Sequence, residues 1–133
     1  MWVIPRIIVN KILGHAQRTA PQECVGLLSG QGDRITGWHP LTNALQETRR
    51  FLADPTEQIR LFKELRENGQ EVRAIYHSHP TGSAAPSTAD LEQAHYGEAL
   101  YLIVALGVDG RLDMNGYLLQ DGKAQLQELT ISD

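Results

Sequence analysis

The chain has 133 residues, 41% of them apolar and 21% charged, which suits one globular domain spanning residues 1–133 with a real core and leaves no room for two. Its formal net charge of −4, with no basic block, argues against nucleic-acid binding as the main role. The single cysteine, Cys24, excludes an intrachain disulfide and fits a reducing compartment. The longest apolar run, Ala99 to Leu106, is too short to cross a bilayer, and Arg6 and Lys11 interrupt the N-terminal apolar residues where a signal peptide would be continuous, so a cytoplasmic location is expected.

Pro5 stands where a first helical residue would be, and Ile8, Val9, Ile12, Leu13 and Ala16 form an apolar stripe behind it. The spacing predicts a helix over about residues 5–19, ended by Pro21. Glu23 then precedes a buried-looking strand, Cys24 to Ser29, and Gly30 to Asp33 reads as the turn into a return strand, Arg34 to His39. Trp2, Trp38 and His15 read as packing or surface residues, and His39, beside Pro40, as a strand end rather than a ligand. Residues 40–48 are polar and irregular, and Arg49 to Ala53 suggests a short strand. Asp54-Pro55 opens a helix to about Asn68 with Ile59, Phe62 and Leu65 inward, stopped by Asn68-Gly69.

A strand, Glu71 to Tyr76, runs into His77-Ser78-His79; a loop, Pro80 to Pro86, and a helix, Thr88 to Tyr96, follow. Leu100 to Leu106 reads as a central strand, Asp109-Gly110 as a turn, and Leu112 to Gln120 with Lys123 to Leu129 as an antiparallel pair joined at Asp121-Gly122. The fold class expected is α/β, with a mixed, largely antiparallel sheet sandwiched by helices.

The chemistry-bearing stretch is Tyr76 to Asp90. In a strand, residues i and i+2 share a face about 6.5–7 Å apart. His77 and His79 can therefore converge on one metal ion while Ser78 points the other way. The loop of small residues lets the chain turn back so that Asp90, in the first turn of the next helix, meets the histidines. Two histidines and an aspartate leave one position of a zinc ion open, which is the mark of a catalytic rather than a structural site. Ser87-Thr88-Ala89-Asp90 is also a helix-start signal, and the two roles are compatible. Glu23 alone would be a solvated strand end; beside a zinc site it is the carboxylate that takes a proton from water. Cys24 lacks an activating motif and reads as a buried structural thiol. The loop, with five Gly, Ala, Ser or Thr residues between its prolines, is expected to gate the site.

These residues resemble the JAMM metalloproteases of the Jab/MPN/Mov34 superfamily. That signature is a glutamate at a strand start, His-[Ser/Thr]-His, seven residues, Ser, two residues and Asp. Here it reads Glu23, His77-Ser78-His79, Pro80 to Pro86, Ser87, Thr88-Ala89 and Asp90, with no element missing. Pro21 to Leu28, Asn43, and Arg50 to Pro55 are similar to the small bacterial branch. The resemblance implies a cytidine-deaminase-like fold. It implies Zn2+ held by His77, His79 and Asp90, with Glu23 as general base and Ser87 stabilising the oxyanion. It further implies a peptidase that cuts after the C-terminal Gly-Gly of a ubiquitin-like sulfur-carrier protein. An inactive module that binds ubiquitin-like partners and a zinc amidase acting on another substrate are the alternatives.

Overall fold

A computed structural model describes residues 1–45, 52–92, 94, 97–106 and 112–133. The element order is β1 (Trp2–Pro5), α1 (Arg6–Thr19), β2 (Val25–Gln31), β3 (Arg34–Leu41), α2 (Pro55–Glu67), β4 (Glu71–His79), α3 (Thr88–Glu92), β5 (Leu100–Leu106), β6 (Leu112–Gln120), β7 (Lys123–Gln127) and β8 (Leu129–Ser132). The eight strands form one sheet in the order β7-β6-β5-β4-β2-β3-β1-β8. The β2–β3, β2–β4, β5–β6 and β6–β7 pairs are antiparallel; β4–β5, β1–β3 and β1–β8 are parallel.

The expected α/β sandwich with a mixed sheet is what forms, and strand alternation explains it. The central strands carry apolar residues on both faces. On one face Leu28, Ala74, Tyr76, Leu100, Leu102 and Val104 pack against Ile8, Val9, Ile12 and Ala16 of α1. On the other, Val25, Leu27, Ile75 and Tyr101 meet Leu61 and Phe62 of α2. At about 25 cal/mol per Å² of apolar surface buried, these two layers supply the main drive for folding. The even-numbered residues of β4 thus face α1, and the odd-numbered ones, His77 and His79 among them, face the α2 side.

Several boundaries and one helix face differ from expectation. Pro5 is not the first helical residue; it closes β1 and caps α1 with an extended backbone. β1 itself is missed because four residues running straight into an amphipathic stripe carry no periodicity of their own. The last predicted strand divides: β7 stays with β6, whereas β8 crosses to the far edge and pairs in parallel with β1, Trp2 opposite Leu129. In α2, Leu65 is buried and Phe62 partly so, but Ile59 is 71% exposed. At 3.6 residues per turn, Ile59 stands nearly opposite Leu61, which takes the inward place instead. The Asp54 carboxylate accepts from Thr56 and Glu57 N–H, the expected start of α2. The helix predicted to Tyr96 ends sooner, since Ala94 is not helical; Gln93, His95 and Tyr96, most of the Arg49–Ala53 strand and the Asp109-Gly110 turn lie outside the described residues. Ala53 itself forms a single bridge with Asn43.

Tyr76 joins the sheet to α1. Its hydroxyl lies 2.7 Å from His15 Nδ1 and accepts from Trp38 Nε1–H at 3.0 Å. Its ring lies over Gly26, where any Cβ would meet the ring itself. Gly26→Ala is therefore expected to destabilise the protein by about 1–3 kcal/mol through overpacking, read as a lower urea midpoint at unchanged m-value.

Candidate active site

Three segments converge at the end of β4. His77 and His79 share one face, their places held by Val25 of β2 and by Ile103 and Ala105 of β5. The parallel β4–β5 pair demands a crossover, and that crossover carries the loop and α3. At its start Ser87 and Asp90 make a reciprocal capping box. Ser87 N–H donates to Asp90 Oδ2 at 2.8 Å, and Asp90 N–H donates to Ser87 Oγ at 3.1 Å. The cap turns the Asp90 carboxylate onto the histidines: Oδ1 lies 3.1 Å from His77 Nε2 and Oδ2 lies 3.0 Å from His79 Nε2. The two Nε2 atoms are 3.2 Å apart.

These separations come close to those of metal ligands. Four ligands about 2.0–2.2 Å from a tetrahedral ion are about 3.3–3.6 Å from one another, so an outward shift of a few tenths of an ångström would admit an ion. His79 Nδ1 donates to the Ser83 carbonyl at 2.9 Å, so its neutral ring presents an unprotonated Nε2 to the centre. Glu23, His77 and His79 also bring ligand-type atoms within 4.8 Å of one another. Glu23 is 3% exposed, and its Oε1 has no hydrogen-bond partner among the described residues. A buried carboxylate oxygen left in this way is costly unless a cation or water meets it. The residues therefore make a candidate metal centre of nitrogen and oxygen donors.

The electrostatics agree with that reading. Burial pushes the Glu23 carboxyl up to about 7; the facing His79 opposes this and Asp90 adds to it. Burial alone would also raise Asp90, but hydrogen bonds from His77 and His79 and the Ser87 N–H hold it well below the usual carboxylate range. Burial lowers His77. Burial works in the same direction on His79, where hydrogen bonds to Asp90 and Ser83 outweigh it and leave the imidazole above its ordinary value. The two carboxyls are thus driven apart, Asp90 downward by its donors and Glu23 upward by burial, the pattern by which carboxylates divide roles in an active site.

Glu23, His79 and Ser87 open onto a cavity of ≈ 440 Å³ whose other walls are Thr81, Gly82, Ser83, Ala85 and Pro86. The loop is not free along its whole length. Ala84 is 3% exposed, packs on Ile103 and Ala105, and its carbonyl accepts from Asn115 Nδ2 at 3.2 Å and Tyr117 Oη at 3.0 Å. Only the stretches either side of this anchor face solvent.

All five candidate residues thus meet in one place. The supporting contacts were beyond sequence reasoning: Ser83 on His79, Asn115 and Tyr117 on Ala84, and Asn43 on the Glu23 carbonyl at 2.9 Å. His15, His39 and Cys24 make structural contacts instead. His39 Nε2 lies 2.8 Å from Ser29 Oγ, and Cys24 is buried with its thiol pushed up to about 11 by burial. His95 lies outside the described residues.

A mixed sheet thus carries a two-histidine strand, a capped aspartate and a buried glutamate around one candidate metal centre. Residues 5–115 match the model of the prokaryotic homologs of the JAB domain, and the chain belongs to that family, as the JAMM resemblance implies. A CysO-cysteine peptidase of Mycobacterium tuberculosis is 31% identical over 122 residues, 90% of this chain and 84% of the relative. A probable TtuB-protein conjugate cleaving protease of Thermus thermophilus is 35% identical over 121 residues, 90% and 77%. The solution structure of protein DSY2949 from Desulfitobacterium hafniense superposes with a TM-score of 0.89 at 29% identity, covering 100% of this chain and 94% of that one. The chain is accordingly a hydrolase of the JAMM peptidase class.

Asp90→Ala should remove a metal-facing oxygen and the α3 cap together, so metal content after dialysis should fall well below one ion per chain; equal content in both proteins would exclude Asp90 from the centre. A proton on His79 competes with a metal ion for the same Nε2. Because His79 is raised above its ordinary value in the metal-free protein, affinity should weaken as pH falls through that elevated range and level off above it. Chelator competition across pH 5–9 measures this.

Proposed function

We propose that the protein is a zinc-dependent peptidase that hydrolyses the bond following the C-terminal Gly-Gly of a ubiquitin-like sulfur-carrier protein. The observation that carries this reading is the meeting of His77, His79 and Asp90 within 3.0–3.2 Å beside a buried Glu23 at the wall of an open cavity. The substrate class draws on the relatives, one named for CysO-cysteine and one for TtuB-protein conjugates. No helix among the described residues is long and apolar enough to cross a membrane, and we place the enzyme in the cytoplasm.

His77, His79 and Asp90 would hold the ion: two neutral imidazoles and one carboxylate leave a divalent cation with net positive charge. Zinc, when bound, supplies a Lewis acid for the carbonyl and lowers the pKa of a water to about 7. Glu23 accepts the proton of the attacking water; burial raises its carboxyl in the metal-free protein, and a dication beside it would draw it back toward the ionised form that task requires. Glu23 then returns the proton to the leaving amine. Ser87 Oγ accepts the Asp90 N–H, which leaves its own hydrogen free to donate to the carbonyl oxygen as negative charge develops there. Thr81, Gly82, Ser83 and Ala85 of the loop line the cavity beside Glu23 and His79, and an extended Gly-Gly tail would lie along them as bare backbone.

Glu23→Gln should retain the metal and lose about 10²–10⁴ in kcat. Ser87→Ala should lose about 10² and also about 1 kcal/mol of helix-cap stability, so unfolding must be measured beside the rate. Wild-type turnover in Glu23→Gln would exclude it as the base.

Main-chain hydrogen bonds along an extended tail contribute only about 0.5–1.5 kcal/mol each. A short peptide must also be ordered on binding, so the folded carrier has to add contacts of its own. The kcat/KM for an extended carrier should far exceed that for its free tail peptide, and changing the last Gly to Leu should abolish cleavage. Comparable values for all three would point to an amidase or general peptidase instead.

A further inference from the structure

One peptide unit at the rim of the site is held by side chains rather than by the sheet. In a regular antiparallel pair, Cys24 and Ser78 would exchange both backbone hydrogen bonds. Ser78 N–H does donate to the Cys24 carbonyl, at 3.2 Å. The Cys24 N–H goes instead to Ser78 Oγ, at 2.8 Å. The other polar atom of the same peptide, the Glu23 carbonyl, accepts from Asn43 Nδ2 at 2.9 Å. Asn43 is itself tied down, because its Oδ1 receives the N–H groups of Leu45 at 2.9 Å and Leu52 at 3.0 Å. The Glu23–Cys24 peptide is therefore clamped at both ends, by the residue between the two histidines and by a loop residue beyond β3.

We propose that Ser78 and Asn43 are positioning residues: by fixing the rotation of the Glu23–Cys24 peptide they aim the Glu23 carboxylate at the histidine pair. A general base has to keep its lone pairs open for the proton it takes. Glu23 Oε1 meets this need, since no described residue hydrogen-bonds to it. A carboxylate without a holder at that oxygen can be aimed from its root, through the backbone dihedral that the clamp sets. Ser78 suits the task because alternation along β4 puts its side chain on the face opposite the imidazoles. It reaches the glutamate's backbone without entering the reaction space. The sequence signature thus contains two kinds of residue. His77 and His79 face the chemistry, and the serine between them sets the distance from which Glu23 works. A buried hydroxyl that merely satisfied an amide would affect folding and leave the rate per folded molecule unchanged.

This inference rests on the peptidase reading, and its test separates the two. Ser78→Ala, Asn43→Ala and Asn43→Asp are made in the wild-type and Glu23→Gln backgrounds and assayed on the Gly-Gly-extended carrier. Asn43→Asp retains acceptors for Leu45 and Leu52 but cannot donate to the Glu23 carbonyl. It controls for collapse of the loop. Small misplacements of a catalytic group cost up to about 10²-fold. Each variant should therefore lose about 10–10²-fold in kcat at unchanged KM and full metal content, with no further loss once Glu23 is Gln. Ser78→Thr, which keeps the hydroxyl, should restore kcat. Independently of activity, the Cys24 amide should lose hydrogen-exchange protection in Ser78→Ala while amides in the middle of β2 stay protected. Wild-type kcat in the folded variants, or an equal loss in the Glu23→Gln background, would overturn the positioning role. An inert wild-type enzyme would instead count against the peptidase reading, and the exchange result would still decide whether the clamp exists.

Discussion

The site depends on one carboxylate doing two jobs. Asp90 ends its own helix's need for an N-terminal partner and at the same point meets both imidazoles. Either job alone would leave its second oxygen or lone pairs unsatisfied at 8% exposure. Because the cap fixes the carboxylate to the backbone of α3, its contact with the two imidazoles inherits the rigidity of the helix start. Burial at this centre is expensive for a charge. The cost is offset by donors on every side of Asp90 and is left standing on Glu23, whose value near 7 is the direct result.

The division of labour between the faces of β4 follows from the same economy. On one face, Ala74 and Tyr76 lock the strand to α1 through apolar contact and the Tyr76 hydroxyl. On the other, the strand runs from Ile75 in the core to His77 and His79 at the rim. A slip of one residue would exchange these faces, burying imidazoles against α1 and turning Tyr76 toward the cavity. Register is held from both sides, by β2 and β5, where the central strands are most deeply buried.

Much of this was legible in the sequence, for identifiable reasons. The histidine pair, the capping box and the continuous apolar run of β5 are local patterns, and local patterns survive folding. The meeting of Glu23 with His77 and His79 could be anticipated only because the chemistry requires a base. Contacts that join distant segments left no trace: nothing near Asn43 shows that its amide reaches Glu23, and nothing near Ala84 shows that Tyr117 holds its carbonyl. Ile59 faces solvent rather than the core because the periodicity of α2 admits two neighbouring stripes, and only the sheet beneath decides between them. The short strands β1 and β8 were obscured for a related reason, since each takes its structure largely from the other.

That mutual dependence has a consequence for how the molecule is made. β1 is matched to β3 at a single position, Val3 opposite Arg34, but to β8 at four. During synthesis, at about 5–20 residues per second, β1 leaves the ribosome long before its principal neighbour, β8, emerges. Until then the outer side of the growing sheet presents unpaired backbone donors and acceptors, a surface open to foreign strands. Arg6 follows β1 directly, so the entrance to α1 gains its full support only when β8 arrives. The nascent chain thus carries β1 unpaired on that side until β8 is made, and β8 then takes its place as the edge strand of the sheet.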